Sequence, residues 1–308
     1  MGAFIARRGL MAVLVLLGVV ALVFVITRTF ADPARLMLPI DAREEDYRQL
    51  RRQLHLDEPI PVQFGRFLSG VARGDLGDSF WQRLPVVDLV VQRLPATLSL
   101  ALTSIVLAAL ISIPLGVAAA ARPGSWLDRT IVSGSLVGVS VAEFWLGLLL
   151  IVFVAAGLGL LPTSGYGTPA HIILPAITLA ARPIGRITQI VRSSMLDELA
   201  RPHVTVARAK GLSERTVFYG HALKNAGIPI ITLGGLEAAE LLAGYTIVVE
   251  TVFAWPGIGQ LGVGALVNHD LPLIQAVVLF GATVVVGANL LVDVAYAYLD
   301  PRLRHASA

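Results

Sequence analysis

Four acidic residues lie inside long apolar stretches of the sequence: Glu143, Glu237, Glu240 and Asp293. A charged side chain at the centre of a bilayer costs roughly 3 kcal/mol or more, so such residues normally face a polar cavity or an opposite charge. Glu237 and Glu240 share one face of a helix because of their spacing. They could line a pathway that receives the amino group of a solute. Alternatively, they could pair with an arginine of a neighbouring subunit or lie at the edge of a span.

A nucleotide-binding P-loop can be tested directly in this sequence. It needs Gly-Lys followed by Ser or Thr, because the lysine reaches the terminal phosphates and the hydroxyl holds magnesium. The only lysines, Lys210 and Lys224, have neither neighbour. The chain therefore has no Walker A motif, and if its activity is driven by ATP, a different polypeptide must hydrolyse the nucleotide.

A second glycine pattern, GxGxxG, is formed by Gly257, Gly259 and Gly262. A dinucleotide site needs a preceding strand, a following helix and an acidic residue about 20 positions further on. Here the pattern lies between two apolar stretches, and the nearest following acid is Asp270. We therefore interpret these glycines as allowing a tight or re-entrant backbone.

Metal and hydrolase chemistry find little support. The sequence has no cysteine, and its six histidines lack the paired spacing of metal ligands. HExxH and GxSxG are both absent, which disfavours an intramembrane protease or lipase. We predict no catalytic residue and no bound metal, and we expect His221 to pack within the polar segment that contains it.

The composition points to a membrane protein. Of 308 residues, 56% are hydrophobic and 15% are charged, and the formal net charge is +3. We predict an all-α, polytopic membrane protein, because helices satisfy their own backbone hydrogen bonds in lipid. The positive charge comes from arginines in loops and does not indicate a nucleic-acid surface.

Apolar stretches predict six transmembrane helices, at residues 9–27, 94–121, 131–157, 171–181, 228–249 and 273–298. The first stretch is long for a signal peptide and lacks a convincing cleavage site, so we predict an uncleaved span. Arg182, Pro183 and Arg186 follow the fourth stretch closely, so its helix is expected to leave the bilayer. The segments 158–170 and 253–272 contain no Lys or Arg, so the positive-inside rule places both termini in the cytoplasm.

We divide the chain into three parts. Residues 1–30 hold the cytoplasmic N-terminus and the first transmembrane helix, and residues 31–93 form an extracytoplasmic region. Residues 94–308 form the main transmembrane domain, which includes a polar loop at about 195–225. The extracytoplasmic region contains a turn-rich segment at Gly74–Phe80 and no catalytic constellation.

The polar loop 195–225 is predicted to be a cytoplasmic helical hairpin. Gly211 interrupts it, and Ser213 is a plausible N-cap of the second helix, because its hydroxyl can accept a bond from the first turn. Without lipid to pack against, an apolar face here needs a protein partner, and that face is predicted to contain Val204, Val206, Val217, Phe218 and Leu223. The alternative is a solvated basic loop that obeys the positive-inside rule.

Two segments carry a resemblance to a known family. Thr205–Arg215, with Ala209–Leu212 at its centre, and His221–Pro229 resemble the cytoplasmic loop of ABC-importer permeases, in particular the first-subunit branch of the dipeptide/oligopeptide/nickel family. Glu250–Gly259 with Asp270–Pro272 resembles the outer loop of the same family. The resemblance covers nearly the whole chain and includes the segments Gly74–Gly77 and Arg93–Thr97.

We predict the functional residues partly from the resemblance and partly from the acidic residues inside the apolar stretches. The resemblance implies a loop that couples the permease to the ATPase, with Thr205, Ala207, Ala209, Lys210, Gly211, Leu212, Ser213, Glu214 and His221. It also implies an outer loop over the mouth of the pathway, with Glu250, Phe253, Trp255, Pro256, Gly257, Gly259 and Asp270. As residues of the translocation pathway we predict Glu143, Glu237, Glu240 and Asn289.

The resemblance implies a permease subunit of an ATP-driven ABC importer in the bacterial inner membrane, forming half of a pathway for dipeptides or oligopeptides. Expected partners are a second homologous permease, two ABC ATPase subunits and an extracytoplasmic substrate-binding protein. ATP and magnesium would bind the ATPases, and this chain would bind no cofactor and would not be an enzyme. The alternatives are an importer of nickel or another small solute and, from a different class, a channel or scaffold without a motor. A channel would not need the basic hairpin.

Overall fold

Long apolar runs fold into helices throughout the structure, which is a computed structural model. It describes the backbone of residues 2–29, 34–35, 38, 43–53 and 56–299. Side chains are described within residues 7–27, 34–35, 38, 43–52 and 56–290. No strand occurs in these residues. The predicted all-α fold is confirmed.

The first half of the chain contains α1 (Gly2–Thr29), α2 (Glu44–Gln53), α3 (Ile60–Arg73), α4 (Val86–Ala121), α5 (Trp126–Ser140) and α6 (Glu143–Leu150), which a π-helical turn continues to Gly157. The second half contains α7 (Pro169–Leu199), α8 (Pro202–Ala209), a π-helical turn (Thr216–Ala222), α9 (Leu223–Asn225), α10 (Gly227–Glu240), a π-helical turn (Leu241–Tyr245), α11 (Thr246–Val252), α12 (Ile258–Val267) and α13 (Leu271–Leu299).

Among the described residues, the helical stretches long and apolar enough to cross a membrane are Arg7–Thr27, Val86–Ala121, Gly227–Val252 and Leu271–Leu290. The pair α5 and α6 adds a further crossing if the two helices are taken together as one broken span. Helix α7 carries Arg182, Arg186 and Arg192 and is not in this set. The total of six spans therefore stays a prediction.

Two predicted boundaries differ from the structure. Helix α4 begins at Val86 rather than at residue 94, because a charge such as Arg93 limits how deep a helix enters lipid but does not end the helix. The stretch 131–157 is broken: α5 ends at Ser140, and α6 starts at Glu143 with its axis bent by 102°. The residues at this break, Val141 and Ala142, include neither glycine nor proline, so the break could not be predicted from the sequence.

Helix α7 is the central element of the fold. Its 31 residues correspond to about 45 Å of helix. It packs closely along α4, where a side chain on Gly116 would meet Val191 Cβ at 2.5 Å. Towards its N-terminus, α7 contributes to a core with the outer loop (Leu100, Leu174, Leu179, Phe253 and Trp255). Towards its C-terminus it contributes to a second core with the start of α10 (Val117, Ile187, Val191, Met195 and Ile230).

Helix α1 lies at the side of this bundle. It packs on α13, where Gln275 Nε2 donates to Thr27 Oγ1 at 2.6 Å. Phe24 contacts Phe64 and Phe67 of α3 at ring-centroid distances of 5.3 and 5.8 Å. These aromatic contacts join the first helix to the region that follows it.

Candidate functional site

The polar loop folds as the predicted hairpin. Gly211 has a φ of 79°, and its N–H donates to the Arg208 carbonyl at 2.9 Å while the N–H of Leu212 donates to the Ala207 carbonyl at 3.3 Å. This pair of bonds is the Schellman motif that ends a helix at a left-handed residue. Ser213 Oγ then accepts from the Thr216 N–H at 3.3 Å, so its predicted role as N-cap is confirmed.

The inner face of the hairpin is apolar and buried within the chain itself. Val204 and Val217 are fully buried and pack with Ala207 and Leu199. The prediction that Val206 shares this face is wrong, because residues two apart on a helix point in nearly opposite directions. Phe218 and Leu223 are partly buried against the second core, so the predicted face is correct in part. The prediction that this face needs a protein partner is wrong, because its own chain covers it.

The outer face of the hairpin is open. Val206, Leu212 and Tyr219 are 52%, 39% and 49% exposed. Arg208 makes two contacts with Glu214 across the turn, at 3.0 and 3.1 Å, at the surface of the hairpin. Of the predicted coupling residues, Ala207 is buried, His221 is half-buried, and the exposed ones are Thr205, Ala209, Lys210, Gly211, Leu212, Ser213 and Glu214.

An ion pair that was not predicted from the sequence joins the start of α5 to α7. Arg192 Nε and a terminal nitrogen of the same guanidinium donate to the two carboxylate oxygens of Asp128 at 2.5 and 2.8 Å. Asp128 also accepts from the Gly124 N–H at 2.8 Å and donates its own N–H to Ser125 Oγ at 3.2 Å. The spacing of Ser125 and Asp128 is that of a capping box, which was the available signal in the sequence.

A cavity of about 710 Å³ lies where the break between α5 and α6 meets α7, α10, the following π-turn and α13. Its polar lining includes Glu143, Arg182, Glu240, Tyr245 and Asn289. Three of the predicted pathway residues, Glu143, Glu240 and Asn289, thus come together from distant parts of the sequence.

The fourth predicted pathway residue, Glu237, does not line the cavity. Its side chain is 1% exposed, and its carboxylate lies 2.6 Å from Arg186. Glu240 contacts Arg182 at 2.9 Å and Arg186 at 3.6 Å. The arginines that face these acids therefore belong to α7 of the same chain, and not to a neighbouring subunit as in the predicted alternative. Arg182 also lies 4.2 Å above the ring of Tyr245.

The outer loop is anchored to the chain by a buried carboxylate. Glu250 is fully buried, and it accepts from Thr97 Oγ1 at 2.8 Å and from the Gln260 N–H at 3.0 Å. Thr97 in turn accepts from the Ile258 N–H at 2.8 Å. Trp255 Nε1 donates to the carbonyl of Ala96 at 2.9 Å. The whole loop is therefore fixed to α4.

The GxGxxG glycines serve this close packing. A side chain on Gly257 would overlap the Glu250 carboxylate, and one on Gly259 would come within 2.6 Å of Ile247 Cα. Within the described residues no strand precedes the motif. Phe253 is buried and Pro256 half-buried in the same loop.

Asp270 closes the far end of the outer loop. It accepts from Ser79 Oγ at 2.5 Å and from the Trp81 N–H at 3.2 Å. It also caps α13, because the Leu273 N–H donates to it at 3.3 Å. Ser79 and Thr97 were not among the predicted site residues. Thr97 could have been found, since it ends the segment Arg93–Thr97 of the resemblance.

No group of three or more histidine, aspartate or glutamate side chains able to hold a metal ion occurs in the part of the chain that the structure describes. The three regions are instead a surface hairpin, a charged cavity and an internally bonded loop.

Comparisons with known proteins show the family to which this chain belongs. The family model described as "Binding-protein-dependent transport system inner membrane component" matches residues 112–305, and the model of its N-terminal region matches residues 1–101. The chain is 39% identical to the oligopeptide transport system permease protein AppB of Bacillus subtilis, covering 99% of this chain and 100% of the relative. It is 36% identical to the dipeptide transport system permease protein DppB of Escherichia coli K12, covering 98% of each.

Among solved structures, the inward-facing MetNI methionine ABC transporter contains a similar chain, with a TM-score of 0.59 and 20% identity over 69% of this chain and 96% of the other. That likeness supports the fold. The chain belongs to the family of inner-membrane components of binding-protein-dependent transport systems, and it is a multi-pass protein of the bacterial inner membrane.

Proposed function

We propose that this chain is the permease subunit of an ATP-driven importer of dipeptides or oligopeptides and forms half of its membrane pathway. Relatives that this chain covers over 98% or more of their length are named as permeases for oligopeptides, dipeptides and glutathione. Its partners are a second homologous permease, two ABC ATPase subunits and a substrate-binding protein outside the membrane. The absence of a Walker A motif supports ATP hydrolysis by a partner.

The observation that carries this proposal is the outer face of the hairpin. Val206, Leu212 and Tyr219 expose apolar area on a segment whose opposite face is already buried in its own chain. An exposed apolar group surrounded by charged residues is typical of a protein contact site. The hairpin therefore serves as the docking element for an ATPase subunit.

Motion at the hairpin has a route to the cavity. The hairpin is joined to α4, α7 and α10 through Phe218, Ala222 and Leu223 of the second core. Helix α7 continues from there to Arg182 in the cavity lining. In the proposed mechanism, ATP-driven closure of the ATPases moves the hairpins and shifts the spans between inward- and outward-open states.

The test is co-purification of the tagged full-length chain in mild detergent, with intact-mass identification of the proteins that accompany it. Leu212→Glu and Tyr219→Glu place a charge in the proposed contact, and Ile60→Glu adds the same charge at an exposed apolar residue of α3. We expect both hairpin variants to lose the ATPase while retaining the second permease, and Ile60→Glu to retain both. A wild-type chain that purifies alone would contradict the proposal and favour a channel or scaffold.

A further inference from the structure

Two backbone irregularities meet at the cavity. One is the break between α5 and α6, whose residues Val141 and Ala142 line the cavity. The other is the π-turn Leu241–Tyr245, in which Gly244 has a φ of 154°. At membrane depth, irregular backbone is tolerated where it is buried in protein or lines a water-filled cavity, and π-turns are frequent at functional sites. The break between α5 and α6 and the π-turn therefore both form part of the cavity wall.

The charges that line the cavity do not balance. Glu143 and Glu240 contribute two carboxylates, and Arg182 contributes one guanidinium. Behind the lining, Arg186 and Glu237 pair with each other at 2.6 Å and cancel. The lining therefore has one carboxylate in excess.

The excess carboxylate is that of Glu143. It has no hydrogen-bond or ion-pair partner among the described residues, and it lies in the first turn of α6. The N-terminus of a helix supplies roughly half a positive charge, which offsets the carboxylate only in part. A cationic group entering the cavity would complete the balance.

Glu240 offers a second acceptor in the lining of the same cavity. Its side chain is 40% exposed, and both of its contacts, with Arg182 and with Arg186, are made by Oε2. Oε1 accepts no hydrogen bond from the described residues, so it can accept one without breaking the pair with Arg182. An ammonium group has three donors and no acceptor, which suits two carboxylates that share one cavity.

We infer that this cavity binds the amino-terminal ammonium group of the transported peptide, with Glu143 and Glu240 as its acceptors. The inference rests on the proposed function and names the group by which this chain, rather than the binding protein, recognises its solute. A cavity of about 710 Å³ falls within the range of small-ligand sites, roughly 300–1,000 Å³. A peptide whose amino group is acetylated lacks the charge and binds poorly.

The test uses a single cysteine as a reporter of occupancy, which is possible because the chain contains no cysteine. Val248 lines the cavity and is 42% exposed, so Val248→Cys is labelled with a maleimide in the purified full-length chain, together with whatever subunits co-purify and without a binding protein. The probes are trialanine and N-acetyl-trialanine at about 10 mM, which would nearly saturate a site with a Kd of about 1 mM. Labelling of this chain is followed by intact mass.

We expect trialanine to slow labelling of Val248→Cys about tenfold at this occupancy, and the acetylated peptide to have little effect. Adding Glu143→Gln should remove the protection. This substitution breaks no contact among the described residues, so it tests the charge without disturbing the fold, whereas Glu240→Gln also loosens Arg182. In Leu266→Cys, a 64% exposed residue of α12 outside the cavity, neither peptide should change the labelling rate.

The outcomes separate this inference from the proposed function. Equal protection by the two peptides, or protection that survives Glu143→Gln, overturns the ammonium site even if ATPases co-purify and the cells take up peptide. Absence of protection in a complex that transports peptide overturns it as well. A wild-type chain that neither co-purifies with an ATPase nor supports peptide uptake would instead overturn the proposed function.

Discussion

The hairpin and the outer loop both depend on glycine, but for different physical reasons. Gly211 in the hairpin has a φ of 79°, and a side chain built there would meet nothing within 4 Å. Gly257 in the outer loop has an extended backbone that any residue can adopt, but it has no space for a side chain. Gly211 is needed for its left-handed backbone, and the space around it is open. Gly257 is needed because its backbone packs directly against the Glu250 carboxylate.

The charged residues of the two regions differ in the same way. Glu214 of the hairpin pairs with Arg208 at the surface, where the side chains are 60% and 43% exposed. Glu250 of the outer loop is fully buried and bonded to α4 and to the loop backbone. Although both segments resemble the same family, only the hairpin leaves its distinctive residues accessible to another protein. The outer loop uses them to hold itself in place.

The largest expected effect comes from replacing each of the two glycines by asparagine in turn. Asparagine tolerates a left-handed backbone but needs space, so Gly257→Asn should destabilise the protein by about 3 kcal/mol through overpacking against Glu250. Gly211→Asn should change stability by less than about 1 kcal/mol. Thermal unfolding of the purified chain in detergent measures both, as a large fall in the midpoint for the first and a small one for the second.

A matched control at the hairpin tests the left-handed backbone while the available space stays the same. Gly211→Val has the same open space but adopts a left-handed backbone poorly, so its hairpin should be less stable than that of Gly211→Asn by about 1–2 kcal/mol, which hydrogen exchange at the hairpin amides measures. Equal midpoints for Gly257→Asn and Gly211→Asn would show that the two turns do not differ as described.

The second effect concerns the two glutamates. In Glu250→Gln one oxygen becomes an amide nitrogen that faces donors, so a buried group loses its partner at a cost of about 2 kcal/mol. Glu214→Gln removes one partner of an exposed ion pair, which is worth about 0.5 kcal/mol. The same unfolding measurement is used for both.

Thr97 provides the control for this buried carboxylate, because it bonds both Glu250 and Ile258. Thr97→Ser keeps the hydroxyl and should remain close to the wild type, while Thr97→Val should be destabilised by a similar amount to Glu250→Gln. A Thr97→Val protein as stable as Thr97→Ser would show that this network contributes little.

The sequence was sufficient for features set by local rules. The hairpin follows from Gly211 and Ser213, each of which acts through its own backbone or its nearest turn. The long apolar helices follow from composition. The exact start of α4 did not follow from composition, because composition indicates the part of a helix that lies in lipid and not the first residue of the helix.

Features that depend on packing between distant segments could not be predicted. The contacts of Arg182 and Arg186 with Glu240 and Glu237 require α7 to lie beside α10, and no spacing in the sequence encodes that neighbour. The break after Ser140 has no breaker residue. It becomes intelligible only with the cavity, towards which the first turn of α6 presents Glu143.

The smallest expected effect is at the cap of the second hairpin segment. Ser213→Ala removes the acceptor for the Thr216 N–H, which costs about 1 kcal/mol. Because the hairpin can open locally without unfolding the bundle, the global unfolding midpoint should hardly change. Hydrogen exchange at the amides of the first turn, including Thr216, should instead become about fivefold faster, which is the factor that corresponds to 1 kcal/mol.

Ser213→Asp is the matched control, because aspartate caps as well as serine and its charge favours a helix N-terminus. It should restore slow exchange, and co-purification of the ATPase should follow the same order, weaker for Ser213→Ala than for Ser213→Asp. A fall in the global midpoint as large as that of Glu250→Gln would contradict the comparison. It would mean that the hairpin, like the outer loop, is part of the cooperative core, and that its exposed face is not an independently stable docking element.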